Sequence, residues 1–168
     1  NELDNYFVTY GGFMGNYFLI LGFPEVWGYE LFEMYMPPIR WEDSKTIEWT
    51  HDFEEYNGRK TYASETAGGY YACRLAVLEY LKALKRQSRV LVLRFITEDY
   101  DAPLGVWVAR EAVRKSLINQ RKFDSKELLL AYIKSFVKKE FSFNLNYVLG
   151  SSVLYRTLNK QRKLRQYC

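Results

Sequence analysis

Gly68-Gly69-Tyr70-Tyr71-Ala72-Cys73-Arg74-Leu75-Ala76-Val77-Leu78-Glu79-Tyr80-Leu81 is the stretch on which the fold turns. Tyr70, Val77, Leu81 and Leu84 share one helical stripe, and Tyr71, Leu75 and Leu78 form the stripe beside it. The spacing predicts a helix from Gly69 to about Lys85, with two apolar stripes that leave little room for a solvent face. Lys82, Lys85 and Arg86 suit its C-terminal end, where the helix dipole favours cations. Val90 to Thr97 comes next as a nearly continuous apolar run, the pattern of a strand covered on both faces. A second dense block then reads Pro103-Leu104-Gly105-Val106-Trp107-Val108-Ala109-Arg110-Glu111-Ala112-Val113-Arg114 and predicts a helix from Gly105 to about Leu117.

Charges stand inside these apolar elements. Arg74 lies on an apolar stripe, Arg94 shares a strand face with Val90, Val92 and Ile96, and Glu111 and Arg114 come after Trp107 and Arg110 on the second helix. A guanidinium in such a place needs carboxylates, phosphates or carbonyls arranged for several donors. One reading is a buried ion-pair network, with Glu30, Glu33, Asp52 and Glu54 as partners. The other is an anion pocket for a nucleotide or DNA phosphate, built by Arg74, Arg94, Arg110 and Arg114. Pairing of all four arginines to carboxylates in a structure decides for the first.

Upstream, Tyr6 to Tyr10, Tyr17 to Phe23 and Tyr29 to Met36 read as strands, the first broken by Gly11-Gly12 and the last stopped by Pro37-Pro38. Thr46 to Tyr56 alternates, Asn57-Gly58 supplies a hairpin turn, and Arg59 to Ser64 is expected to return as a strand. Downstream, Asp124-Ser125-Lys126-Glu127 resembles a capping box with Asp124 as N-cap. It opens a helix to about Val137, and a last helix is expected from Tyr147 to about Lys163. The class is α+β: an N-terminal antiparallel sheet of four or five strands packed against a buried central helix, then a buried strand and C-terminal helices.

The two blocks, with Trp27-Gly28-Tyr29-Glu30-Leu31-Phe32-Glu33, Asn57-Gly58-Arg59-Lys60-Thr61-Tyr62-Ala63 and the basic end, resemble the C-terminal half of the archaeal Nre family. These proteins are linked to DNA repair and to the sliding clamp PCNA. The resemblance implies a repair-associated role. It also implies that residues 1–168 are the C-terminal portion of a longer chain, because full-length relatives carry an N-terminal region not found here.

Length and composition agree with one globular domain: 168 residues, 48% of them hydrophobic, suffice for a sizeable core. No run of 18 apolar residues and no signal-peptide layout is present, so a soluble, cytoplasmic protein is expected. Two cysteines, Cys73 and Cys168, give no disulfide framework and no metal-ligand cluster, and nothing calls for a cofactor. Charge is unevenly spread. Residues 1–65 carry −8, residues 66–109 carry +2 and residues 110–168 carry +10. Such asymmetry points to a polyanion or an acidic partner for the basic half, or to neutralisation of one half by the other.

Catalytic signals are thin. Asp52 and Glu54 share a strand face, as two hard-metal ligands of a nuclease do, but alternating acids are common on exposed strands. His51 is the lone histidine and supports no Ser/His/Asp or Cys/His set. The glycines fit neither a phosphate loop nor a dinucleotide fingerprint.

The C-terminal tail is sharper. From Phe141 to Cys168 there are five cations and no acid, and Gln161, Leu164 and Tyr167 stand at the spacing of a PCNA-interacting peptide. In that chemistry a helical turn drives Leu164 and Tyr167 into an apolar pocket, Gln161 anchors by hydrogen bonds, and basic neighbours steer toward an acidic clamp. Such motifs end in two aromatics, and here Cys168 stands where the second belongs, which weakens the fit. The domain is therefore taken as residues 1–168, with 157–168 a basic tail. Three functions are weighed: a repair factor docking on PCNA, a protein gripping DNA or RNA backbone, and an enzyme on nucleic acid or nucleotides using the arginines and acidic strands.

Overall fold

Residues 1–36, 47–100 and 105–160 are described in the computed structural model, save the side chains of residues 67, 159 and 160. The chain begins with a hairpin, β1 (Tyr6–Phe13) and β2 (Asn16–Phe23). Met14 and Gly15 both adopt positive φ at its tip, the geometry that matches a two-residue turn to the twist of the strands. β1 does not break at Gly11-Gly12 as expected. Those residues pair with Phe18 and Tyr17 of β2, and the ladder holds them in the strand.

β3 (Gly28–Tyr35) and β4 (Glu48–Glu54) form a second antiparallel pair. Helix α1 (Ala67–Leu84) leads from it to β5 (Arg89–Ile96). β5 enters the middle of the sheet, antiparallel to β2 and parallel to β3, so the sheet is mixed and not antiparallel throughout. The apolar run of β5 explains this, because a strand buried on both faces belongs at the centre. α2 (Val106–Ser116), the short β6 (Arg121–Phe123), α3 (Lys126–Phe141), α4 (Asn146–Ser151) and α5 (Val153–Lys160) complete the order. Among the described residues the sheet has six strands in the order β4-β3-β5-β2-β1-β6. The α+β class stands.

Alternation along the strands divides the core in two. One set joins Phe18, Ile20, Leu31, Val90 and Val92 to Cys73, Val77 and Leu81 of α1 and Val113 of α2. The other joins Leu19, Leu21, Phe32, Leu91 and Leu93 to Leu129 and Ile133 of α3, Leu149 of α4 and Leu154 of α5. Helices thus cover both faces of the sheet.

Four expectations need correction. Arg59 to Ser64 forms no strand: Gly58 takes positive φ, but the Arg59 side chain then hydrogen-bonds the carbonyls of Phe53, Thr61 and Tyr62 and holds the segment as a loop. Of the two α1 stripes only Tyr70, Val77 and Leu81 are core; Leu84, at the end of that stripe, and Leu75 of the other are exposed, and Tyr71 and Leu78 are half-buried. Ser125, not Asp124, caps α3, since its extended backbone lets Oγ accept from the Leu128 N–H. The last helix is two helices, parted at Ser152 by extended backbone. The proline stop at 37–38 and the end of the last helix near Lys163 lie outside the described residues.

Candidate functional site

Three strands and α1 build a layer of charge on one face of the sheet. Glu33 of β3 lies opposite Arg94 of β5 in the parallel register, and Arg94 Nη1 donates to Glu33 Oε1 at 2.7 Å. Arg94 Nε also donates to Asn16 Oδ1 at 2.9 Å. On β4, Glu54 accepts from Trp27 Nε1 at 2.8 Å, from the Tyr70 hydroxyl and from Arg74. Two residues back, Asp52 Oδ2 accepts from the backbone N–H and the hydroxyl of Thr66, and Oδ1 pairs with Arg59 at 3.0 Å. Asp52 thereby holds the residue that leads into α1.

Burial tunes the neutral groups around this layer. The Cys73 thiol is pushed up to about 12, first by burial, so it stays protonated at neutral pH. The Tyr70 and Tyr29 hydroxyls are likewise raised, again chiefly by burial. A Cβ added at Gly69 would collide with Glu33 Oε1, so the bare first turn of α1 is what lets the helix close on the Glu33–Arg94 pair.

The remaining arginines stand on α2. Arg114 reaches Glu79 of α1 at 2.7 Å and Glu111 at 2.5 Å, while Arg110 pairs with Glu111 at 3.3 Å. Arg74, Arg94, Arg110 and Arg114 are thus all paired to carboxylates, and they fall into three separate groups. This geometry favours the ion-pair network over the anion pocket. Asp52 and Glu54 do share a face, but donors surround both. Among the described residues no group of three or more His, Cys, Asp or Glu is placed to hold a metal.

Glu30 plays a part the sequence did not suggest. It is completely buried on the opposite face. Its carboxylate accepts from Ser152 Oγ at 2.5 Å and from the backbone N–H groups of Val153 and Leu154 at 3.1 and 3.0 Å. Ser152 Oγ in turn accepts from the Tyr155 N–H at 3.0 Å. The N-terminus of α5 is therefore capped by a glutamate more than a hundred residues away, with its dipole favouring the negative charge. His51 Nδ1 contacts Glu30 Oε1 at 2.8 Å, and its ring stacks on Phe32. Arg89, also unforeseen, is 2% exposed; its Nη2 donates to Glu55, and its Nε and Nη1 have no partner among the described residues. Gln161, Leu164, Tyr167 and Cys168 lie outside the described residues.

A mixed sheet covered on both faces, with a carboxylate–guanidinium layer under α1, defines the framework to which comparison adds the family. The Archaeal Nre, C-terminal model matches residues 54–167, and the chain belongs to that family. It is 41% identical over 104 residues to the DNA repair protein NreA of Haloferax volcanii, covering 61% of this chain and 25% of that protein. The NreA of Archaeoglobus fulgidus is 42% identical over 104 residues, with 61% and 26% covered. The DNA repair protein NreB of the same organism is 33% identical over 153 residues, with 90% and 38% covered. The chain thus spans between a quarter and two fifths of these relatives' length. No solved structure matches. No helix among the described residues is long and apolar enough to cross a membrane.

Proposed function

We propose that this chain belongs to a DNA repair factor that docks on the sliding clamp PCNA through Gln161, Leu164, Tyr167 and Cys168. The relatives named DNA repair protein support the repair association. The observation that carries the docking is the place of the tail: the family match runs on to residue 167 and so takes in Gln161, Leu164 and Tyr167. α5, fixed to the sheet by Glu30, leads the chain to that segment. Leu164 and Tyr167 are the apolar anchors in this reading, and the cations Arg162, Lys163 and Arg165 speed encounter with an acidic surface.

The test is binding of a peptide covering Thr157–Cys168 to an archaeal PCNA, beside a Leu164→Ala, Tyr167→Ala control. The native peptide is expected to bind at least about tenfold tighter, since two buried anchors are worth more than one step of about 1.4 kcal/mol. Equal binding of the two peptides reduces the association to charge alone. A second reading rests on the +10 of residues 110–168, which suits contact with DNA or RNA backbone. Its mark is a steep fall of affinity with salt.

A further inference from the structure

At one end of the α1 face lies a hollow of about 310 Å³ between the C-terminal part of α1, the start of β1 and β6. We propose that it binds a nucleoside monophosphate, either free or as the phosphorylated end of a nucleic-acid strand. The site is independent of the tail and of the clamp reading.

The fold builds this hollow from fixed parts. Residues 1–3 are held beside Gln87 by Leu3 N–H donating to the Gln87 carbonyl and Gln87 N–H to the Asn1 carbonyl, both at 3.0 Å. Antiparallel pairing of β1 with β6 puts Lys122 opposite Phe7. Tyr80 of α1 meets the Phe7 ring edge-on with centroids 6.1 Å apart. The outcome is a cleft with the Tyr80 ring at its back, seated on the buried Phe7, and a polar rim.

Its polar groups are mostly donors. Arg86 and Lys122 both line it, and among the described residues neither has an ion-pair partner. They differ in this from Arg74, Arg94, Arg110 and Arg114, each of which holds a carboxylate. Gln120 lines the same hollow, and its side-chain Nε2, closed off from solvent, has no hydrogen-bond partner among the described residues. A buried donor left unpaired is costly, and an acceptor brought into the adjoining hollow would relieve that cost once the amide turns toward it. Asn5 adds a further amide.

Two unpaired cations suit a phosphate, the amides suit the edge of a base, and the half-buried Tyr80 ring, backed by the buried Phe7, suits a flat ring. The volume is at the lower end of small-molecule sites, which fits one nucleotide and not a long ligand. Asp4 is the one acid in the lining among the described residues and stands exposed at the rim, so it opposes the phosphate and its loss should tighten binding.

The experiment titrates the intact protein with dAMP, deoxyadenosine and inorganic phosphate by calorimetry. A 5′-phosphorylated single strand is compared with its 5′-hydroxyl counterpart by anisotropy. The expected result is saturable dAMP binding, at least tenfold tighter than deoxyadenosine. An Arg86→Ala, Lys122→Ala double variant should lose at least tenfold and Gln120→Leu several-fold, while Asp4→Asn gains. Among the described residues no hydrogen bond or ion pair is made by the Arg86 or Lys122 side chain, and their backbone bonds survive truncation, so an unchanged melting temperature should accompany the loss. Preference for the phosphorylated strand identifies a strand end as the ligand; binding of dAMP alone identifies the free mononucleotide. Equal affinity for dAMP and deoxyadenosine, an unaffected double variant, or no binding of either phosphorylated probe overturns the proposal.

Discussion

Glu33 and Arg94 face each other in register across the parallel strands β3 and β5, joined at 2.7 Å with both side chains nearly buried. The pair sits where two charges have left water together, so removing one partner strands the other. Glu33→Ala should cost about 3–5 kcal/mol in urea unfolding, while Glu33→Leu with Arg94→Leu should cost less than the sum of the two single changes. Additive costs would mean that the two side chains do not depend on one another. Gly69→Ala should mimic part of the loss, because its methyl takes the place of the Glu33 carboxylate.

Glu30 should matter to α5 more than to the sheet. Glu30→Ala leaves the Ser152 hydroxyl and two first-turn N–H groups without their acceptor, a loss on the order of 3 kcal/mol. Hydrogen exchange should speed in residues 153–158 before β3 responds. Uniform acceleration across the sheet would show that the carboxylate supports the core as a whole.

The two flanks of α1 should respond unequally. Leu81→Ala, at a buried position, should cost about 2–5 kcal/mol. Leu75→Ala, at a position 44% exposed, should stay within about 0.5 kcal/mol. Comparable losses at both sites would place Leu75 in the core.

Acid should erase the Glu79–Arg114 contribution. Hydrogen bonding from Arg114 holds the Glu79 carboxyl below its ordinary value. A carboxylate depressed in the folded state stabilises above its unfolded pKa, about 4.3, and the gain vanishes as pH falls through the folded value. The melting temperature of Glu79→Gln should therefore lie below that of the native protein at pH 6 and converge with it on acidification. A gap that persists below pH 3 would point to shape and not charge.

Cys73 should be inert while the fold is intact. In a Cys168→Ser background its thiol, buried and raised to about 12, should resist a disulfide reagent at pH 8 and react once denaturant is added. Rapid labelling of the native protein would contradict the burial.

Much of the fold was legible because period and composition speak directly of burial. The β5 run announced a central strand, and Arg74 and Arg94 on apolar faces announced carboxylate partners, which proved to be Glu54 and Glu33. The features that could not be read depend on contacts distant in sequence. Nothing local shows that β5 inserts between β3 and β2 and makes the sheet mixed. The break at Ser152 has a local sign in Gly150-Ser151-Ser152, which a reading of one continuous helix passes over; what the sequence does not show is that Glu30 completes the cap of α5. Arg59 looked like part of a returning strand because the turn before it is real; only its reach to three carbonyls makes a loop instead. For the site, the sequence drew attention to the charges inside apolar helices and strands. Asn5, Arg86 and the neighbouring Gln120 and Lys122 come from three distant segments and read singly as ordinary surface residues.

The loop that replaces the expected strand leaves β4 at the margin of the sheet, with Arg59 clasping the Phe53 carbonyl at 2.9 Å. A bare strand margin offers its peptide groups to any other copy of the chain, and a charge laid across it is one way that self-association is blunted. Arg59 thus bears on colloidal behaviour as much as on stability. Its loss would free a carbonyl beside the exposed rings of Phe53, Tyr56 and Tyr62, a surface on which strands from neighbouring molecules could add.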